Sequence, residues 1–157
     1  MSDAQKTVVT NRRAFHDFTV VERFEAGLAL AGTEVKSVRE GKASLSGAFG
    51  EFRPDGLYIV DMHISPYSHG NRENKDPLRP RKLLLRVPEL RRLRNRVEER
   101  GYTIIPLRLY FVHSLAKLEI GLCKGKRLYD KREDEIKKDV EREIARQLRG
   151  DKREEDE

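Results

Sequence analysis

The chain has no tryptophan, one cysteine, two methionines and only 7% aromatic residues in 157 positions. A lone thiol, Cys123, cannot close an internal disulfide, so stability does not rest on cross-links of the kind that hold small secreted domains. No apolar run approaches the roughly 20 residues that span a bilayer, and no cationic start followed by an apolar segment marks a secretory signal. The expectation is a cytoplasmic protein without membrane insertion. Histidine is sparse too. His16, His63, His69 and His113 include no pair at helical ligand spacing and have no second cysteine to join them, so no metal is expected. Gly-x-Ser-x-Gly, phosphate-loop and dinucleotide-binding fingerprints are missing, which removes the usual support for a nucleotide-using enzyme or a cofactor.

What the chain has is charge. Asp, Glu, Lys and Arg make up 38% of residues, for a formal net charge of +6. The last 25 residues hold 7 Lys/Arg against 11 Asp/Glu, so the preceding 132 carry an excess of ten positive charges. A small body this basic draws polyanions by steering and counterion release, and nucleic acid is the first such partner to consider.

Residues 1–10 show no amphipathic pattern and read as a disordered N-terminus, with order expected from about Ala14. "FHDFTVVERFEAGLALAG" predicts one or two strands bending at Ala26-Gly27. In "GTEVKSVREG", Thr33 as cap, Val35 and Val38 three apart and Gly41 as terminator predict a short helix, with Lys36, Arg39 and Lys42 turned outward. "RPDG" between two runs of β-formers predicts a hairpin. A long polar loop with Pro66, Gly70, Pro77 and Pro80 follows, then "LLLRV" returning to the core. "PELRRLRNRVEERG" carries helix signals from Pro88 to Gly101, and "YTIIPLRLYFV" and "AKLEIGLCKG" read as two strands around "HSLA". The fold class expected is mainly β with short helices (α+β), as an antiparallel, partly closed barrel.

Cations gather in four places: Arg12/Arg13, Lys36/Arg39/Lys42, Arg79/Arg81/Lys82, and "KGKRLYDKR" with Lys124, Lys126, Arg127, Lys131 and Arg132. Together they favour a phosphate-binding face. Among the aromatics, Phe18, Phe24, Phe52 and Phe111 fit strand cores, whereas Tyr67 and Tyr129 sit in polar surroundings suited to stacking on unpaired bases. A competing enzymatic reading would use His69, Asn71 and Asp76 of the long loop as acid and base groups. A polar loop lining a binding surface explains the same residues with less.

"FEAGLALAGTEVKSVREGKASL", "DPLRPRKLLL", "AKLEIGLCKGKRLYDKR" and "REIAR", in this order, resemble the SsrA-binding protein family, also called small protein B, across residues 11–148. The resemblance implies an oligonucleotide-binding type β-barrel over residues 11–127, flanking helices, and a tail over 128–157 that is disordered when free and helical on the ribosome. It implies no enzyme activity. It implies binding to the tRNA-like domain of transfer-messenger RNA, delivery with elongation factor Tu to the A site of stalled ribosomes, and rescue and tagging of the nascent chain. A monomer suffices for this. The family's RNA-contacting positions fall on Asn11, Glu25, Leu84 and Lys117; Arg12, Arg13, Lys36, Arg39, Arg81, Lys82, Lys124, Lys126 and Arg127 join them on charge and placement. Glu25 is odd beside a polyanion unless it accepts a hydrogen bond from a base or orients a cation; pairing with Arg23 or Lys36 is the plain alternative. Leu84 fits packing better than contact. A general RNA-binding barrel, for single-stranded or structured RNA, is the alternative to the family's specific task.

In the tail, Ile136, Val140, Ile144 and Leu148 recur at spacing four and form a thin apolar stripe. Such a segment cannot offset its own ordering entropy, so helix is expected only on a partner. By resemblance the partner is the decoding region and mRNA channel of the small ribosomal subunit, with Tyr129, Asp130, Lys131 and Arg132 opening the tail. The acidic end "GDKREEDE" departs from a tail basic throughout and reads as a solvated extension.

Overall fold

The computed structural model describes residues 5–69, 74–125 and 140–146. They fall into two units, one ending at Gly125 and one that holds residues 140–146. The first unit is mostly β with a few short helices. Its strands are β1 (Gln5–Thr10), β2 (Phe18–Leu28), β3 (Ala43–Ser44), β4 (Phe49–Arg53), β5 (Gly56–Val60), β6 (His63–Ile64), β7 (Arg81–Leu84), β8 (Thr103–Val112) and β9 (Leu115–Gly125). Its helices are α1 (Arg12–Asp17), α2 (Gly32–Arg39) and α3 (Val87–Arg100). Pairing runs β8–β4–β5–β7–β2–β9 and returns from β9 to β8, every pair antiparallel. β1 adds to β8, and β3 pairs with β6 as a separate ribbon.

Several local expectations meet their reasons here. The "RPDG" hairpin joins β4 to β5, with Gly56 at φ 145° completing the turn. α3 ends on Gly101 in the left-handed region, and Leu93 on its inner side is fully buried. The β8–β9 turn is shorter than "HSLA": His113 and Ser114 alone make it, at φ 47° and 69°, the two positive angles a tight right-twisting hairpin demands. The ring of pairings is completed where Gly50 of β4 meets Ile104 of β8. A Cβ at Gly50 would lie 2.7 Å from Ile104 Cγ2, so only glycine permits that approach.

Three expectations change. Residues 5–10 are not disordered: β1 pairs along β8 and Val8 and Val9 pack on the core. "RRAFHD" is α1 rather than the start of a strand, because the Asn11 side chain accepts from the Ala14 amide and starts the turn. The cap of α2 is Ala31, not Thr33: the Glu34 carboxylate accepts from the Ala31 N–H at 2.9 Å.

Irregularities in two strands determine which side chains face where. β8 carries an extra residue between Pro106 and Arg108, and β2 one between Val20 and Glu22. Each bulge inverts the alternation that follows it. Before the bulges, Phe18, Val20, Ile105 and Leu107 join Cys123 in a small cluster that includes Ala14 of α1. After them, Phe24, Ala26, Leu28, Leu109 and Phe111 point to the opposite face and enter the main core with Leu118, Ile120 and Leu122. Burial pushes the Cys123 thiol up to about 11, so it behaves as a small apolar side chain.

Residues 140–146 are helical, with Val140 and Ile144 exposed at 50% and 51%. Glu, Arg and Ala favour helix locally over these seven positions. The expectations for Tyr129, Asp130, Lys131, Arg132, Ile136 and Leu148 lie outside the described residues, as do those for Lys126 and Arg127.

Candidate nucleic-acid interface

On the sheet face opposite the main core, Ala14 of α1 packs against Ile105, Leu107 and Cys123 at one end. Elsewhere strand alternation brings functional candidates together on it. Gly27 of β2 lies between Leu84 of β7 and Lys117 of β9, and Glu25 lies opposite Glu119 of β9. Lys82, two residues before Leu84, shares its side of β7. Glu25, Gly27, Lys82, Leu84, Arg86 and Lys117 line one open cleft of about 950 Å³. Leu84 is 55% exposed, so it is a surface residue here and not the packing residue expected of it. Gly27 keeps the cleft floor low: a Cβ there would press to 3.2 Å from Leu84 Cβ.

Glu25 pairs with neither Arg23 nor Lys36. It accepts the hydroxyl of Tyr110, which is buried on β8. Burial, then the bond to Glu25 and its charge, hold that phenol well above the ordinary tyrosine range, so it stays a proton donor. The Arg108 guanidinium covers the Tyr110 ring at 4.4 Å and reaches Thr7 Oγ1 at 3.1 Å and Glu119 at 3.5 Å. Arg23 takes the other oxygen of Glu119 at 3.3 Å. Two carboxylates directly opposite on one face would repel. Here Glu119 is neutralised by two arginines while Glu25 is bound through a neutral hydroxyl and remains exposed at the cleft.

Two residues predicted as RNA contacts are inside the protein. Asn11 is 7% exposed: its N–H reaches Leu107 O at 2.8 Å, and its Nδ2 donates to Pro106 O at 2.8 Å and Leu45 O at 3.3 Å. It satisfies the carbonyls that the β8 bulge leaves over. Arg81 is fully buried, with Nε 2.7 Å from Glu34 Oε2 and with Met62 O and Pro77 O as further acceptors. Arg79 holds the other Glu34 oxygen. Burial alone would raise the Glu34 carboxyl, but the bonds from Arg79, the Ala31 amide and Arg81 outweigh it and hold it below its ordinary value. Asn11 and Arg81 thus spend their polar groups on partners inside the protein.

Other predicted cations are at the surface but dispersed. Arg12 and Arg13 are on α1, where Arg13 meets Asp17 at 3.3 Å. Lys36 and Arg39 project from α2 over the rings of Tyr67 and Phe111, at 5.4 Å and 5.9 Å. Lys124 lies 5.9 Å from the Tyr102 ring at the end of β9. Among the loop residues of the enzymatic reading, His69 packs edge-on to Tyr67 at 5.4 Å. Asp76 accepts the Leu78 N–H at 2.8 Å and so forms a turn, and Asn71 lies outside the described residues. His69 and Asp76 thus have packing and turn-forming partners of their own. Among the described residues, no cluster of His, Cys, Asp and Glu could hold a metal, and no helix is long and apolar enough to cross a membrane.

Sequence reasoning missed Tyr110, Arg108 and Arg86. The first two carried a usable signal, since Arg108 and Tyr110 alternate on β8 as Lys117 and Glu119 do on β9; the bulge hid which face they took.

The family described as SmpB protein matches residues 8–150. An SsrA-binding protein of Geobacter sulfurreducens is 54% identical over 92% of this chain and 95% of its own length. One of Moorella thermoacetica is 53% identical over 92% and 94%. A solved structure described as "tmRNA-SmpB: a journey to the center of the bacterial ribosome" aligns with a TM-score of 0.65 at 47% identity, covering 80% of this chain and 92% of that one.

Proposed function

The chain belongs to the SmpB family of SsrA-binding proteins, and we infer from that membership that it binds transfer-messenger RNA and acts with it on the bacterial ribosome in trans-translation. The observation that carries this reading is the family match over residues 8–150, joined to relatives about half identical over nine-tenths of the chain. Its place of action is then the cytoplasm. It is an RNA-binding factor rather than a catalyst, able to work as a monomer, with elongation factor Tu meeting the RNA it carries.

Within this function the cleft of Glu25, Lys82, Leu84 and Lys117 takes the tRNA-like domain of the RNA. Convergence of these residues from three strands supports the assignment. Lys82 and Lys117 supply phosphate contacts, Leu84 an apolar surface for a sugar or base face, and Glu25 an acceptor. The returning ring of antiparallel pairs supports an oligonucleotide-binding type barrel. Tyr129–Arg132 and the stripe from Ile136 to Leu148 form the part that engages the decoding region, where the helix at 140–146 fits a segment helical on the ribosome.

Filter binding of the isolated tRNA-like domain against bulk tRNA tests the reading: selective, salt-sensitive binding is expected, and equal affinity for both would leave only a general RNA-binding barrel. Removal of residues 133–157 is expected to preserve that binding and abolish tagging of stalled chains; loss of RNA binding on truncation would reverse the division of labour.

A further inference from the structure

Lys82 stands at the cleft with a carboxylate fixed beside it. Tyr58 of β5 is the paired neighbour of Lys82, so both side chains take one face of the sheet while Leu57 and Ile59 turn into the core. The Tyr58 hydroxyl donates to Asp55 Oδ2 in the β4–β5 turn. Arg53 covers the Tyr58 ring at 5.1 Å and is held in turn by Glu51, with Nη2 at 3.1 Å and Nε at 3.2 Å from one oxygen. Lys82 lies along the same turn: a Cβ on Gly56, the residue after Asp55, would sit 3.1 Å from its Cε and 3.8 Å from its Nζ. Asp55, Gly56 and Lys82 all line the cleft. The Tyr58 bond first, then its own amide and the charges of Lys82 and Arg53, hold the Asp55 carboxyl below its ordinary value, so it is ionised near neutral pH. Asp-Gly chemistry explains the turn, but not the tyrosine and arginine stacked behind the carboxylate.

A carboxylate beside a lysine on a polyanion-binding face opposes phosphate unless its oxygens take a donor. The RNA backbone offers one donor, the ribose 2′-hydroxyl, which recurs beside every phosphate. In a paired stem it lines the wide, shallow minor groove, where side chains reach it. We propose that Asp55 and Lys82 together read one ribose-phosphate unit, Lys82 donating to the phosphate and Asp55 accepting the 2′-hydroxyl, with Tyr58 as the positioning residue of Asp55. The Tyr58 hydroxyl uses one lone pair and leaves capacity on both carboxylate oxygens. Because Tyr58 donates as a neutral group, Asp55 keeps the charge that makes a hydrogen bond from the ribose strong. A deoxyribose in the same place supplies no donor and leaves only the repulsion. The pair therefore selects RNA over DNA at one position of the backbone, without reading sequence.

The role given to Asp55 rests on the RNA-binding reading, and one experiment separates their failures. The full-length chain is mixed with a pool of the isolated tRNA-like domain carrying scattered 2′-deoxy substitutions, and bound RNA is compared with unbound. The wild type, Asp55→Ala and Tyr58→Phe are used, each shown by thermal melt to be folded at the assay temperature. Wild-type protein that binds the tRNA-like domain no better than bulk tRNA would sink the functional reading itself. Given that preference, the wild type should select against deoxyribose at a small set of positions, and one of these should vanish from the set in Asp55→Ala. An RNA deoxy at that nucleotide alone should bind the wild type about tenfold more weakly, as loss of a hydrogen bond to a charged group does. Asp55→Ala should bind it as well as the all-ribose RNA. Tyr58→Phe, which frees the carboxylate without altering the turn, should show a smaller deoxy penalty at the same nucleotide, and it carries the test if Asp55→Ala does not fold. A single-stranded DNA homopolymer should bind Asp55→Ala more tightly than the wild type, since a repelling charge is gone and no bond is lost. No selection against deoxyribose, or the same pattern in wild type and variants, would overturn the proposal. Equal loss of RNA and DNA affinity in Asp55→Ala would do the same and leave Asp55 a turn residue.

Discussion

Glu34 of α2 and Arg81 of β7 meet inside the protein, Arg81 Nη2 at 2.6 Å and Nε at 2.7 Å from one carboxylate oxygen, with both side chains under 5% exposed. The pair fixes more than itself. Arg81 and Lys82 are neighbours in a strand, so turning Arg81 inward to Glu34 turns Lys82 outward to the cleft. Glu34→Ala would strand the Arg81 charge without its counter-ion. Urea unfolding should show a loss of about 3–5 kcal/mol.

The same pair makes stability acid-sensitive. The Glu34 carboxyl is held below its ordinary value of 4.5 when folded, so its contribution is fully present above that value and is lost as pH falls through the lower folded one. Melting temperature should therefore drop on acidification below about pH 4.5 more steeply in the wild type than in Glu34→Gln. Equal slopes would show that other carboxylates dominate.

Asn11 supports the β8 bulge and starts α1, so Asn11→Ala should destabilise by roughly 1–3 kcal/mol through unsatisfied carbonyls and a lost cap. Its RNA affinity, assayed well below the melting point, should match the wild type. A large affinity loss in folded protein would put Asn11 back at the interface.

Lys82→Ala and Lys117→Ala should each lower RNA affinity across sequences and reduce the salt slope by about 1. Titrations at several salt concentrations measure this. An unchanged slope would mean that neither side chain meets a phosphate.

His113 and Ser114 occupy left-handed angles that cost non-glycine residues free energy. Replacing them together by Asn-Gly should raise stability by about 1 kcal/mol without touching RNA binding. Chemical denaturation of the double variant checks it.

Part of the candidate site was legible before the structure: Glu25, Leu84 and Lys117 by resemblance and Lys82 by its charge and placement, as were the "RPDG" hairpin and Pro88-to-Gly101 helix by local chemistry. Burial was not legible in the same way. Asn11 and Arg81 look like surface polar residues until their partners 95 and 47 positions away in sequence are known. Residues 5–10 look disordered because a strand whose partner lies a hundred residues on leaves no local signature.

The sequence by itself determined what depends on neighbours along the chain: the "RPDG" turn, the helix from Pro88 to its Gly101 stop, and the charge of the body. Tertiary structure decided which face each strand presents. One extra residue in β2 and one in β8 invert every side chain beyond them, because the strand period is two. That inversion brings Arg108 and Tyr110 beneath Glu25 on the open face and sends Leu109 and Phe111 to the core. Whether a bulge forms depends on whether its freed carbonyls find partners, and in β8 the partner is Asn11, from the far end of the chain.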